Sequence, residues 1–163
     1  MKSLITTAVL TLIIVFSANA QKTSSALSPI LGLYYNVKDA LVNSDAKVVF
    51  AKAVDLTKTI NSIDLKTLST AEQSAFGSLK DKLVSDAKNI SANSNIEKQR
   101  AYFSSLSTNI YSLAKAVKLF DQPVYQAYCP MKKAYWLNNE AAIENPYYGK
   151  QMLTCGKVSD TLK

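Results

Sequence analysis

Apolar residues recur at steps of three and four along most of the chain, in four successive segments. These segments cover residues 28–43, 44–63, 69–90 and 94–120. Because this spacing places the apolar side chains on one face of a helix, each segment is predicted to be an amphipathic α-helix. The face of each helix that carries the apolar residues is interpreted as core.

The starts of the predicted helices carry recognisable capping signals. Ser69 with Glu72, and Ser94 with Glu97, have the spacing of a capping box, in which each side chain accepts from the other residue's backbone amide. Pro29 suits the first turn of the first helix, where an amide hydrogen would have no partner. The predicted N-caps are Ser28, Ser44, Ser69 and Ser94.

The connections between the four segments are short, which favours antiparallel neighbours. The sequence therefore predicts an all-α protein: an up-down-up-down four-helix bundle with an irregular C-terminal tail clasped by Cys129 and Cys155. The predicted core of the bundle includes Leu33, Val37, Leu56, Ile60, Phe76, Leu83, Phe103, Ile110 and Val117.

The helical pattern breaks at about residue 121, and the composition changes there. Both cysteines, the only tryptophan and two of the three methionines lie beyond this point. The segments CPM at 129–131 and NPYYG at 145–149 contain proline, and Gly149 is expected to have a positive φ. In MLTCG at 152–156 the two sulfur residues are three positions apart, so one helical turn would put them on one face.

The sulfur atoms of the tail form a candidate soft-metal site. The predicted ligands are Cys129, Met131, Met152 and Cys155. Thiolates and thioethers favour copper(I), and the chain has no histidine, the commonest ligand for copper(II). Two alternatives remain open: a structural Cys129–Cys155 disulfide, since cysteines in exported proteins usually pair, and a free dithiol that exchanges.

The first twenty residues have the pattern of a secretory signal peptide. An apolar run over 4–16 follows a basic start and precedes small residues that end at Ala20. Cleavage after Ala20 would leave a periplasmic or secreted chain that starts at Gln21, with no membrane span in the mature part. The expected organisation is then a linker over 21–27 and one domain over 28–163, whose tail starts near 121.

Composition argues against two broad function classes. The formal net charge is +7, but the lysines are spread along every segment and Arg100 is the only arginine, so a nucleic-acid partner is not expected. Without histidine, the usual general base and the usual nucleophile pairs are missing, and no phosphate-binding or dinucleotide motif occurs. We expect neither enzymatic activity nor catalytic residues.

The tail resembles a bacterial family of exported helical domains of unknown function. Members occur alone or attached to periplasmic adaptor subunits of copper and other heavy-metal efflux systems. The resemblance is strongest over 125–158 and weaker over 31–120. It is carried by the CPM, NPYYG and MLTCG segments, in particular by Pro130, Trp136, Asn145, Pro146, Tyr147, Tyr148, Gly149 and Gly156.

The resemblance implies an association with metal handling and supplies no catalytic role. The predicted function is an exported, non-enzymatic domain that binds a copper-type ion or assists heavy-metal efflux, with metal-efflux or other envelope proteins as partners. The alternative is a disulfide-stapled interaction module that binds no metal. In that case the aromatic tail would be a docking surface.

Overall fold

The computed structural model describes residues 25–163. The predicted signal peptide and most of the predicted linker lie outside this range. The four predicted helices are confirmed: α1 Ser28–Val42, α2 Ala46–Ser62, α3 Thr70–Ser91 and α4 Ile96–Ala116. Within residues 25–163, no helix is both long and apolar enough to cross a membrane.

The helix starts agree with the sequence in part. Ser69 and Glu72 form the predicted capping box at the start of α3. The cap of α2 is Asp45 instead of Ser44, and its carboxylate accepts from the amides of the first turn at 3.0 and 3.1 Å. The cap of α4 is likewise one residue later than predicted, at Asn95. Serine, aspartate and asparagine are about equally good caps, so the sequence does not distinguish the two neighbouring positions. In the structure Asp45 and Asn95 each accept from two amides of the first turn.

The prediction of an all-α fold is wrong, because the tail forms a three-stranded antiparallel sheet. Its strands are β1 Val124–Cys129, β2 Ala134–Asn138 and β3 Lys157–Leu162. Their order in the sheet is β2-β1-β3. The first two strands are rich in aromatic residues, which favour extended backbone, and they are too short to give a clear alternating pattern. The tail is therefore regular over its three strands, and the segment 139–156 between β2 and β3 is mostly irregular.

The end of α4 also differs from the prediction. The apolar steps continue to Phe120, but the helix stops at Ala116, and Val117 is already extended with φ −142° and ψ 149°. The chain then turns into β1. A tight turn joins β1 to β2, in which Lys133 has a positive φ of 56° and donates its amide to the Cys129 carbonyl at 2.8 Å.

The sheet and the bundle share one core. Trp136 and Leu137 of β2 are fully buried, and the Leu137 amide donates to the Tyr34 hydroxyl of α1 at 2.9 Å. The predicted core residues are buried except Leu33, which is partly buried. The helical prediction was thus right about the core of the bundle and missed that the tail completes it.

The third strand is tied to the bundle by a carboxylate. The Tyr111 hydroxyl of α4 donates to Asp160 of β3. This hydrogen bond lowers the pKa of Asp160 and raises that of Tyr111 to about 12. The strand that follows Cys155 is therefore paired with β1 in the sheet and joined to α4 by this polar contact.

Truncating Ile110 to alanine should destabilise the protein by about 2–5 kcal/mol, because the side chain is fully buried and its removal leaves a cavity. The measurement is chemical denaturation followed by circular dichroism. Ser105→Ala, at an exposed position of the same helix, is the control and should change stability by no more than about 0.5 kcal/mol. Equal stability of the Ile110 variant and wild type would contradict the assigned core.

Candidate functional site

The two cysteines meet at one end of the sheet. Cys129 ends β1 and is fully buried, whereas Cys155 precedes β3 and is partly exposed. Their Sγ atoms lie 3.8 Å apart, well beyond the roughly 2.05 Å of a disulfide bond. The predicted proximity is confirmed. The predicted disulfide is not formed in this structure, in which both residues are free thiols.

Strand pairing explains why residues 26 positions apart come together. Tyr128 of β1 is paired with Lys157 of β3, so the next residues beyond this pair lie at the same end of the ladder. The chain reaches β3 through a turn in which the Cys155 amide donates to the Met152 carbonyl at 3.0 Å. The predicted helical turn over 152–155 is thus a simple turn. A short 3₁₀ helix, Gly149–Gln151, precedes it.

The predicted methionine ligands lie at the surface. Met131 is 64% exposed and Met152 is 36% exposed. Each belongs to one of the two turns that carry the cysteines, but neither side chain is packed into the interior beside them. Among residues 25–163, no group of three or more histidine, cysteine and carboxylate side chains is arranged to hold a metal ion. The structure therefore brings the two cysteine sulfurs together and leaves both methionine side chains exposed.

Burial and the neighbouring sulfur outweigh the backbone amides in setting the charge of Cys155. The Lys132 amide donates to Cys129 Sγ at 3.4 Å. Burial, followed by the hydrogen bond and charge of Cys129, raises the pKa of Cys155, and the Met131 amide acts in the opposite direction. A cation that binds both sulfurs must therefore displace protons, so its affinity should rise with pH.

Asn145 organises the segment that leads to Cys155. It is fully buried, and its side chain donates to the Cys155 carbonyl at 2.6 Å and accepts from the Tyr147 amide at 2.8 Å. Its backbone amide donates to the Leu153 carbonyl at 2.8 Å, and its backbone carbonyl accepts from the Gly149 amide at 2.9 Å. The asparagine of the NPYYG segment thus fixes the backbone of the exposed cysteine directly.

A continuous series of aromatic rings joins the tail to the helices. Trp136 and Tyr147 meet edge to face with ring centroids 6.0 Å apart. Tyr147 lies 5.9 Å from Phe103, which stacks on Tyr34 at 5.2 Å. Burial raises the pKa of Tyr147, whose hydroxyl donates to the Tyr135 carbonyl. Trp136 and Tyr147 are therefore part of the common core.

Glycine is needed where the tail passes close to these aromatic residues. Gly156 has φ +151°, and a Cβ there would lie 2.7 Å from Cη2 of Trp136. The residue directly after Cys155 is therefore packed against the indole ring. Of the remaining motif residues, Pro130 is exposed in the β1–β2 turn and Tyr148 is partly buried against the core.

Arg100 holds the tail on the bundle, a role that the sequence analysis missed. Its side chain is buried and donates to the Pro146 carbonyl at 3.0 Å and the Leu41 carbonyl at 3.2 Å. It also donates to Ser44 Oγ at 2.9 Å and pairs with Glu97 at 2.6 Å. The sequence does carry one signal for this role, because Arg100 is the single arginine in a chain whose other basic residues are all lysine. Only arginine has a planar group that donates hydrogen bonds in several fixed directions.

The predicted backbone at Gly149 is confirmed, with φ +55°. A Cβ at this position would lie 2.7 Å from Arg100 Nη2 and from Ser44 Oγ, and 2.8 Å from the Val42 carbonyl. The glycine is therefore required both for its conformation and for the close approach of the tail to α1 and α4.

Residues 30–122 match the family described as Protein of unknown function (DUF3347). The chain belongs to this family. The matched region covers the four helices apart from the first two residues of α1, includes Arg100, and ends before the sheet that carries the two thiols. Neither a curated protein nor a solved structure matches the chain.

Proposed function

We propose that this protein is an exported, non-enzymatic domain that binds a soft cation of the copper(I) type and assists heavy-metal efflux. The observation that carries the proposal is the 3.8 Å separation of the Cys129 and Cys155 sulfur atoms. Two sulfur ligands at about 2.3 Å from one tetrahedral ion lie about 3.8 Å apart. The two thiolates could therefore share an ion without movement of the backbone.

The same arithmetic distinguishes between coordination geometries. A linear two-sulfur site would need a separation of about 4.6 Å at the same bond length, so the observed distance suits an ion with one or two further ligands. Met131 and Met152 are the sulfur residues in the two adjoining turns. Because the methionine side chain is unbranched and both are exposed, either can turn toward the thiols without disturbing the core.

The link to efflux depends on the likeness of the tail to exported domains that accompany efflux adaptors. Membership of the family supports the helical part of that likeness. Export depends on the predicted signal peptide and gives the domain access to metal that leaves the cell. An accessory role requires only binding and release of the ion, which a buried thiol next to a partly exposed one can provide.

The test is a competition titration of copper(I) against a chromogenic chelator, with reduced protein that lacks residues 1–20. We expect wild type to bind one ion, and Met131→Leu/Met152→Leu to lose roughly tenfold in affinity, about 1.4 kcal/mol. Leucine retains most of the volume, so folding should be unchanged. Cys129→Ser/Cys155→Ser should abolish binding. Wild type that binds no more tightly than this double serine variant would refute the metal site.

The alternative is a disulfide-stapled module that docks on another envelope protein. It is favoured by the closeness of the thiols and by exposed apolar side chains in the same part of the tail: Met131, Tyr135, Met152 and Leu153. A Cys129–Cys155 bond would close a loop of about 27 residues and stabilise the fold by roughly 3–4 kcal/mol in the chain-entropy model. A large fall in stability on reduction, together with no copper(I) binding afterwards, would favour this alternative.

A further inference from the structure

We propose that Cys155 and Cys129 form a thiol–disulfide exchange site with a fixed order of reaction. Cys155 reacts first with an external dialkyl disulfide of the cysteine type, and Cys129 then resolves the mixed disulfide. This activity requires no metal, so it goes beyond the proposed function. It assigns different roles to two residues that a metal site would use equivalently.

The order follows from the different accessibility of the two sulfur atoms. A thiolate attacks a disulfide along the axis of the sulfur–sulfur bond, so both groups of the external disulfide must fit beside it. Cys129 is fully buried and lies within β1, paired with Ala134. Cys155 is partly exposed and lies in the turn before β3. Only Cys155 can meet a bulky external disulfide without opening the sheet.

The second step is favoured by the fixed position of Cys155. Its carbonyl accepts from the Asn145 side chain and its amide donates to the Met152 carbonyl. These two hydrogen bonds keep its backbone in place after the first step. Cys129 Sγ is then 3.8 Å away, and a change of about 1.8 Å brings the sulfurs to bonding distance. The Lys132 amide donates to Cys129 Sγ at 3.4 Å, so the resolving sulfur is also held in position by the backbone of the β1–β2 turn.

The chemistry balances without a further reagent. The Cys155 thiolate attacks one sulfur of the external disulfide, whose bond breaks and releases a thiolate that takes a proton. The Cys129 thiolate attacks Cys155 Sγ in the mixed disulfide and expels the second external thiolate, which also takes a proton. Two electrons pass from the protein to the external disulfide. The two protein thiols become one disulfide, and their two protons end on the two product thiols.

The test uses glutathione disulfide as the probe, with reduced protein lacking residues 1–20 and a chelator present to remove metal. Mass spectrometry follows the acid-quenched products. Cys129→Ser should accumulate a glutathione adduct on Cys155, since the resolving thiol is absent. Cys155→Ser should react at least roughly tenfold more slowly, because its remaining thiol is buried. Wild type should lose two hydrogens and retain no adduct.

Native wild type provides a second measurement that does not depend on the variants folding. Brief treatment with a thiol alkylating agent, followed by peptide mapping, should label Cys155 before Cys129. Labelling of Cys129 first or at the same rate, or a lasting glutathione adduct on wild type, would overturn the proposed order. Because copper(I) binding is measured separately on the reduced protein, a failure here would leave the metal proposal standing, and the reverse also holds.

Discussion

Replacing Arg100 with methionine is expected to destabilise the protein by about 3–5 kcal/mol. The substitution keeps an apolar stem but removes every donor of the guanidinium. The buried Pro146 carbonyl would lose the donor that it accepts from at 3.0 Å. The Leu41 carbonyl, which also accepts from the Ser44 amide, would lose one of its two donors, and the Ser44 hydroxyl would lose the guanidinium at 2.9 Å. Denaturant unfolding followed by tryptophan fluorescence measures the loss, since Trp136 is the only tryptophan.

Two further variants separate the geometry of Arg100 from its charge. Arg100→Lys keeps the charge but cannot donate in several fixed directions at once, so it should recover only part of the stability. Lys98→Met removes a charge from an exposed position on the same helix and should change stability by no more than about 0.5 kcal/mol. If Arg100→Met were as stable as Lys98→Met, the proposed attachment of the tail through Arg100 would be wrong.

The four helices could be predicted because each depends on a local repeat. The apolar steps along α3 and its capping box lie within one segment of the chain, and the structure confirms both. The strands could not be predicted in the same way. β1 and β2 have six and five residues, and the burial of Leu137 and its neighbours depends on α1 and α4, which are distant in the sequence.

The candidate site was predictable only in part, for a related reason. Gathering of sulfur in one short tail indicated that Cys129 and Cys155 would meet, and they do. The orientation of Met131 depends on which side of the β1–β2 turn faces water, a property of the whole sheet. The role of Asn145 likewise depends on the folded tail. The sequence identified it as a turn residue, but its side chain donates a hydrogen bond to the Cys155 carbonyl, ten residues further along the chain.

The helical part of the chain carries residues that position the thiols. Tyr34 and Arg100 lie within the region matched by the family. The Tyr34 hydroxyl accepts a hydrogen bond from the Leu137 amide, and the Arg100 side chain donates one to the Pro146 carbonyl. Pro146, which accepts from Arg100, follows directly on Asn145, which holds Cys155. The buried side chain of Arg100 is therefore connected to Cys155 by a short series of contacts through Pro146 and Asn145, without touching either sulfur.

Replacing Gly149 with valine should destabilise the protein by about 2–6 kcal/mol. A left-handed backbone costs a β-branched residue roughly 1–3 kcal/mol, and overpacking adds a similar amount. Here the φ is +55°, and the new Cβ would lie 2.7 Å from Arg100 Nη2 and Ser44 Oγ. The clash should push the NPYYG segment away from α1 and α4, so the loss of stability should be accompanied by faster alkylation of Cys155.

Gly77→Ala is the control, because it also adds a side chain at a glycine but should raise stability instead of lowering it. Gly77 lies in α3, and a Cβ at that position meets nothing within 4 Å. Alanine should therefore stabilise the protein by roughly 0.5–1 kcal/mol. Thermal unfolding of both variants, with alkylation rates at Cys155, measures the contrast. A Gly149→Val protein as stable as wild type, with an unchanged alkylation rate, would show that the tail does not need this close contact to hold its thiols.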